Sequence, residues 1–254
     1  MSPPTQSGAA SPEVLASLTK RLHLGLPVLT GKLERYVSRF DLLEVVPGSK
    51  GVPTGARLRA WRKKVGPSFV FSVVLPPDVA SLDLAARPSL ELAVDSARSL
   101  EARVVLLRTP PEVRPTAANR KKLRALFEQL PREPVSCAWE ASGMWEPEEH
   151  IGLAKELGVL PVLDGTQVPL PSGSMVYTRV RAPVRSVGAP TVLRLARALA
   201  FRKESFVVVE SAGLAKRLRT ELPLAIVREG GDRRPAVRVI RPAQPFLIAD
   251  DEEQ

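Results

Sequence analysis

One cysteine and two histidines in 254 residues leave little material for metal or redox chemistry. The lone Cys137 lies in the apolar run PVSCAW. It cannot form an internal disulfide or a thiolate metal cage, and a buried, inert thiol is expected there. His23 and His150 fall in segments read as helical or pre-helical, away from strand ends. A His-based metal site or a Ser-His-Asp constellation is therefore not expected, and His150, after Glu148 and Glu149, is expected to be solvated. HExxH, CxxC, P-loop and GxGxxG spacings are all absent, so the residues imply neither a metal nor a cofactor. No apolar run is long enough to span a bilayer. The opening MSPPTQSGAASPE lacks a basic-then-apolar leader pattern, and a cytoplasmic protein is expected. Aromatics are only 5%, which argues against a stacking platform for single-stranded nucleic acid.

What is present is ordinary apolar content, 44%, and an excess of positive charge, +10 with a pI near 10.2. Such a balance suits nucleic acid, an acidic partner or a phosphorylated ligand without selecting among them. Many of the basic residues lie in helix-like stretches such as RLRAWRKK and NRKKLRALFEQL, where a solvated face is the simpler reading. Nucleic-acid binding is thus an alternative, not the favoured partner class.

Residues 1–10 are small, polar and Pro-rich and are expected to be disordered; residues 11–248 read as one domain and 249–254 as an acidic tail. Within the domain, helices are expected over SPEVLASLTKRL and KLERYVSRF. Strand-like apolar runs then alternate with amphipathic stretches: DLLEVV, SFVFSVVLP, RVVLLRTPP, PVSCAWEA, VLPVLDG, SMVYTRVRA and SFVVVESA are the strands. VLPVLDG and SMVYTRVRA follow one another with no helix between. Thr54 is expected to cap a helix, Pro88 and Pro147 to open two more, and Gly158 to close one. Seven strands at intervals of about 30 residues, apolar almost throughout, fit a TIM-type (β/α)8 barrel better than a doubly wound sheet.

A parallel barrel carries its site at the C-terminal ends of its strands. Those ends read Glu44, Leu75, Arg108, Glu140, Asp164, the Arg179/Arg181 pair and Glu210. In MVYTRVRAP, alternation puts Tyr177, Arg179 and Arg181 on one face. Two guanidiniums side by side need anionic partners, and Glu44, Glu140 and Asp164 are the natural ones. Trp139, next to Glu140, must then face the helices.

The order of these ends resembles the domain of unknown function 72 (YecE-like) family of TIM-barrel proteins, over about Gly25 to Leu222. LERYVSRFDLLEVV resembles the family's Tyr-containing helix and its strand ending Val-Glu-Ile-Asn. LRAWRKKVGPSFVFSVVLP, VVLLRTPP, CAWEASGMW, VLDG, VYTRVRAP and VVVESAGLAKRL resemble its later strands in order. The resemblance implies the barrel and places Glu44, Glu140, Asp164, Tyr177 and Arg179 at matching positions. Elsewhere the sequence departs. Val46, Val74 and Arg108 replace the family's Asn, Lys and Gln, and EASGMW lacks its Arg-His. Arg181 stands where the family has His, so a permanent cation replaces a titratable group. Glu210 and Ser211 replace its Asn pair. The family's opening strand has no visible counterpart, which implies an irregular barrel with a gap. LGLPVL could fill it, although AVRVIRP (236–242) is the better strand by β-branched alternation.

The functional expectation is an anion-binding barrel with weak or no catalysis, using Arg108, Arg179 and Arg181, with Tyr177 and Glu210 beside them, for a phosphate-type small molecule. The alternative is a hydrolase or isomerase with Glu44 and Glu140 as acid and base and Asp164 in support.

Overall fold

The computed structural model describes residues 13, 17, 18, 20–83 and 85–231. Eight parallel strands form a closed barrel in chain order: β1 (Leu22–Leu26), β2 (Leu42–Val45), β3 (Val70–Val74), β4 (Val104–Arg108), β5 (Ser136–Glu140), β6 (Leu160–Leu163), β7 (Met175–Val180) and β8 (Glu204–Val209). The chain is therefore a TIM-type barrel, as its alternation of strands and helices implies.

The expected gap is closed. β1 pairs with β8 (Leu22 opposite Ser205, Gly25 opposite Val208) and with β2 (Gly25 opposite Leu42). The segment LGLPVL pointed to the right region but began two residues late. Pro27 lies just past the strand, where its missing N–H costs no ladder bond. AVRVIRP is not needed to complete the barrel, and it lies outside the described residues, as do the expected N-terminal disorder and acidic tail. The helix expected over 11–22 cannot reach its end, because Leu22 and His23 are already strand. Glycine explains part of this misreading. A Cβ on Gly25 would sit 1.7 Å from the Leu42 carbonyl oxygen, so β1 and β2 approach as closely as they do only because that side chain is absent.

Alternation sorts the strand residues into two layers. Leu42, Val70, Val74, Val104, Leu106, Ala138, Val162, Tyr177, Phe206 and Val208 fill the barrel interior. Their neighbours, among them Leu43, Phe71, Val105, Trp139, Val180 and Val207, pack outward under the helices. Trp139 faces the helix layer, edge-on to Trp145 at 4.9 Å. Cys137 is buried in the same layer, where burial raises its thiol pKa despite the nearby Arg132.

The helices carry the signals read for their ends, with two differences. Pro88 and Pro147 sit in the first turns of Arg87–Leu100 and Pro147–Leu157, and Gly158 closes the latter in the left-handed region at φ 65°. Thr54 does not cap Ala56–Lys64; Gly55 holds that position without a side-chain bond. GLAKRLRTEL (213–222) reads as a helix ending before Pro223, but the helix does not stop there. It runs Ala212–Gly231 through Pro223, because Leu218, Leu222 and Ile226 continue its buried stripe. β6 and β7 are joined by a loop with no helix. Among the described residues no helix is long and apolar enough to cross a membrane.

Candidate active site at the C-terminal mouth of the barrel

Four strands place a charged residue at an inward position near the C-terminal end: Glu44 on β2, Arg108 on β4, Glu140 on β5 and Arg179 on β7. Arg179, on β7, is fully buried at the centre. Its Nη2 donates to Glu44 Oε1 at 2.5 Å and its Nε to Glu140 Oε2 at 2.8 Å, so one guanidinium bridges carboxylates from β2 and β5. One layer deeper, the Tyr177 hydroxyl donates to the same Glu44 Oε1 at 2.6 Å and lies 3.2 Å from Ser72 Oγ. Arg108 and Arg181 reach Glu140 from either side. Arg108 Nε is 2.9 Å from Glu140 Oε2, and Arg181 Nη2 donates to Glu140 Oε1. Three guanidiniums thus converge on one buried carboxylate.

These contacts set the protonation states. Burial raises the Glu140 carboxyl pKa, but Arg179, Arg108 and Arg181 together outweigh it and hold the group below the ordinary carboxylate value. Burial works against the charge on Arg179, yet Glu44 and Glu140 more than compensate and keep it cationic. The Tyr177 hydroxyl is pushed well above its usual range, by burial first and by Glu44 second, and stays protonated. One donor remains unsatisfied: Arg179 Nη1 is buried without a partner among the described residues.

Sequence reasoning placed Glu44, Glu140, Tyr177, Arg179, Arg108 and Arg181 together, and the barrel brings all six into one network. Asp164 sits differently. Its Oδ1 accepts from Thr166 N at 2.9 Å, closing a turn, and its Oδ2 accepts from the Arg181 backbone N–H at 3.0 Å. It therefore fixes the β7 end through main chain and does not pair with a guanidinium. Glu210 is at the rim, 3.9 Å from Arg181 Nε and partly exposed. Ser72 was missed, although it lies two residues from both Val70 and Val74 and so shares their inward face.

Both histidines depart from expectation. His23 is an inward residue of β1, buried at the N-terminal end of the barrel, stacked on Phe206 and 3.5 Å from Glu204 Oε1. His150 is 2% exposed, not solvated, and its Nε2 donates to the Trp139 carbonyl at 3.0 Å. Burial lowers its pKa, against the raising effect of that bond and of Glu140. Glu148 and Glu149 are on the outward side of that helix while His150 turns inward against Trp139, 4.6 Å away. Among the described residues no three His, Cys, Asp or Glu side chains are placed to share a metal ion.

Two cavities flank the mouth. One, of about 250 Å3, is lined by Glu44, Leu29, Lys50 and Trp61. The other, of about 420 Å3, is bounded on one side by Arg108.

A closed eight-stranded parallel barrel with a Glu–Arg network at the C-terminal ends of its strands defines a TIM-barrel protein. Within that class, the family model described as protein of unknown function DUF72 matches residues 23–245, and the chain belongs to this family. Among solved structures, it is similar to a DUF72 family protein from Enterococcus faecalis V583 (TM-score 0.62, 16% identity, 83% of this chain and 95% of that one). It is similar to a second from Thermotoga maritima MSB8 (0.57, 13%, 84% and 98%). An L-ribulose 3-epimerase shares the fold as well (0.60, 16%, 88% and 100%). No curated protein matches the chain.

Proposed function

We propose that the C-terminal mouth binds a small anionic, phosphate-type ligand, with Arg108 and Arg181 as the ligand-facing cations and little or no catalysis. The convergence of three guanidiniums on Glu140 carries this reading. Arg108, Arg179 and Arg181 stand against two buried carboxylates, Glu44 and Glu140, with Glu210 at the rim 3.9 Å from Arg181. Arg179 is consumed in holding the carboxylates, whereas the Arg108 and Arg181 side chains are 42% and 44% exposed. Each retains N–H donors beyond those given to Glu140, in the fork geometry that suits phosphate.

Acid/base chemistry finds less support. A general acid needs a carboxyl that stays protonated near neutral pH, and Glu140 is shifted the other way. Glu44 receives hydrogen bonds from both Tyr177 and Arg179 on one oxygen, so that oxygen is engaged within the protein. A thermal-shift screen of phosphorylated metabolites at constant ionic strength tests the proposal. A binder present at 100 times its Kd should stabilise the fold by about 2.7 kcal/mol. A screen in which neutral sugars and their phosphates act alike would overturn it. Nucleic acid belongs in the same screen: stabilisation by duplex DNA that vanishes steeply with salt would favour the charge-driven alternative.

A further inference from the structure

The cavity of about 420 Å3 beside Arg108 differs in character from the network it adjoins. Its walls include Val46, Val74, Leu75, Pro77 and Ala80, from the ends of β2 and β3 and the short helix after β3. Of its three hydroxyls, two are engaged within the protein and the third belongs to Ser142. Ser81 Oγ donates to the Pro77 carbonyl at 2.8 Å, and Thr109 Oγ1 accepts from Trp139 Nε1 at 3.1 Å. Glu112, also on the wall, is exposed, so solvent screens its charge. That leaves Arg108 as the cation of the wall, tied at Nε to Glu140 and with its Nη groups unpaired among the described residues. An apolar hollow of ligand size with one convergent charged group is the usual form of a small-molecule site.

Three of the departures from family pattern named above fall here: Val46, Val74 and Arg108 all line this cavity. Where the resembling pattern has Asn, Lys and Gln, this chain has two hydrocarbon side chains and a guanidinium.

We infer that the ligand is amphiphilic: an anionic head on Arg108 and Arg181, with a short hydrocarbon body lying against Val46, Val74 and Leu75. An alkyl phosphate or medium-chain carboxylate has this form. This inference rests on the anion-binding reading of the mouth and adds the chemistry of the rest of the ligand.

Calorimetric titration of inorganic phosphate and of ethyl, butyl and hexyl phosphate separates the two ideas. Affinity should rise about threefold to fourfold per buried methylene. Val46→Phe, at a partly exposed position that fills the cavity from its edge, should abolish that rise while leaving inorganic phosphate binding unchanged. Affinity independent of chain length, with phosphate still bound, would overturn the hydrocarbon subsite and leave the anion site standing. A rise that persists unaltered in Val46→Phe would place the chain elsewhere and equally overturn it. Failure of every one of these anions to bind would remove the anion site and this inference together. Circular dichroism of Val46→Phe confirms that the comparison is between folded proteins.

Discussion

Glu140 holds the mouth together more than any other side chain, since Arg108, Arg179 and Arg181 all meet on it. Glu140→Gln should therefore cost about 3 kcal/mol in urea unfolding, because it takes from the buried Arg179 one of its two carboxylates. A loss below 1 kcal/mol would mean that solvent already neutralises the network. The pH dependence follows from the same geometry. Glu140 has a folded-state pKa below its unfolded value, so its contribution is complete above the ordinary carboxylate range and is lost as the pH falls through the folded pKa. His150 is also depressed, so its contribution is present above about pH 6.5, the unfolded histidine value, and declines below it. His150→Gln keeps a donor for the Trp139 carbonyl and removes the titration. Its stability should fall less than the parent's between pH 7 and pH 5.5, measured by urea midpoints, and parallel curves would contradict this.

The site residues that sequence reasoning placed correctly share one property. Glu44, Glu140, Tyr177 and Arg179 lie at inward positions of period-2 strands, where alternation alone fixes the face. Asp164 could not be placed so, because its partners are a turn hydroxyl and a backbone N–H. The histidines were misplaced because their immediate neighbours are a poor guide to burial. His150 follows two glutamates, and His23 follows a stretch rich in basic residues.

Among elements, β1 is the one that sequence pattern hid. LHLGL is five residues long and carries a histidine and a glycine on its inward face, so it has neither β-branched content nor apolar continuity. The barrel accepts it for tertiary reasons: Leu22, Leu24 and Leu26 pack outward into the main core, and Gly25 lets β2 approach. Gly25→Ala is the sharpest test of that closure. The added methyl would meet the Leu42 main chain, which cannot rotate away, so a loss of about 3 kcal/mol or more is expected. A thermal midpoint within 2–3 °C of the parent, a shift of about 1 kcal/mol, would show that β1 does not close the barrel as described. The last helix was also underestimated, since Pro223 reads as a stop; its stripe of Leu218, Leu222 and Ile226 overrides the missing hydrogen bond.

At the scale of the whole molecule, much of the basic charge is spent locally. Arg87–Glu91, Arg98–Asp95, Arg124–Glu156, Arg197–Glu229 and Arg217–Glu221 are pairs on the helices, each worth little in solvent. The small cluster at the strand ends is different, because burial of Arg179, Glu44 and Glu140 makes their mutual attraction count for more. Fold and network were legible from strand order because a parallel barrel gathers distant strand ends at one mouth. The apolar cavity beside Arg108 was not, since it depends on how Val46, Val74 and Pro77 from different connections come together. The account stands or falls on whether that mouth takes an anion. Calorimetry of inorganic phosphate at fixed ionic strength, on the parent and on the double variant Arg108→Met/Arg181→Met, measures this directly. We predict one-site binding in the parent and at least tenfold weaker binding in the variant, about 1.4 kcal/mol or more, with the fold retained through Arg179. No heat in the parent, or equal affinity in both proteins, would contradict it.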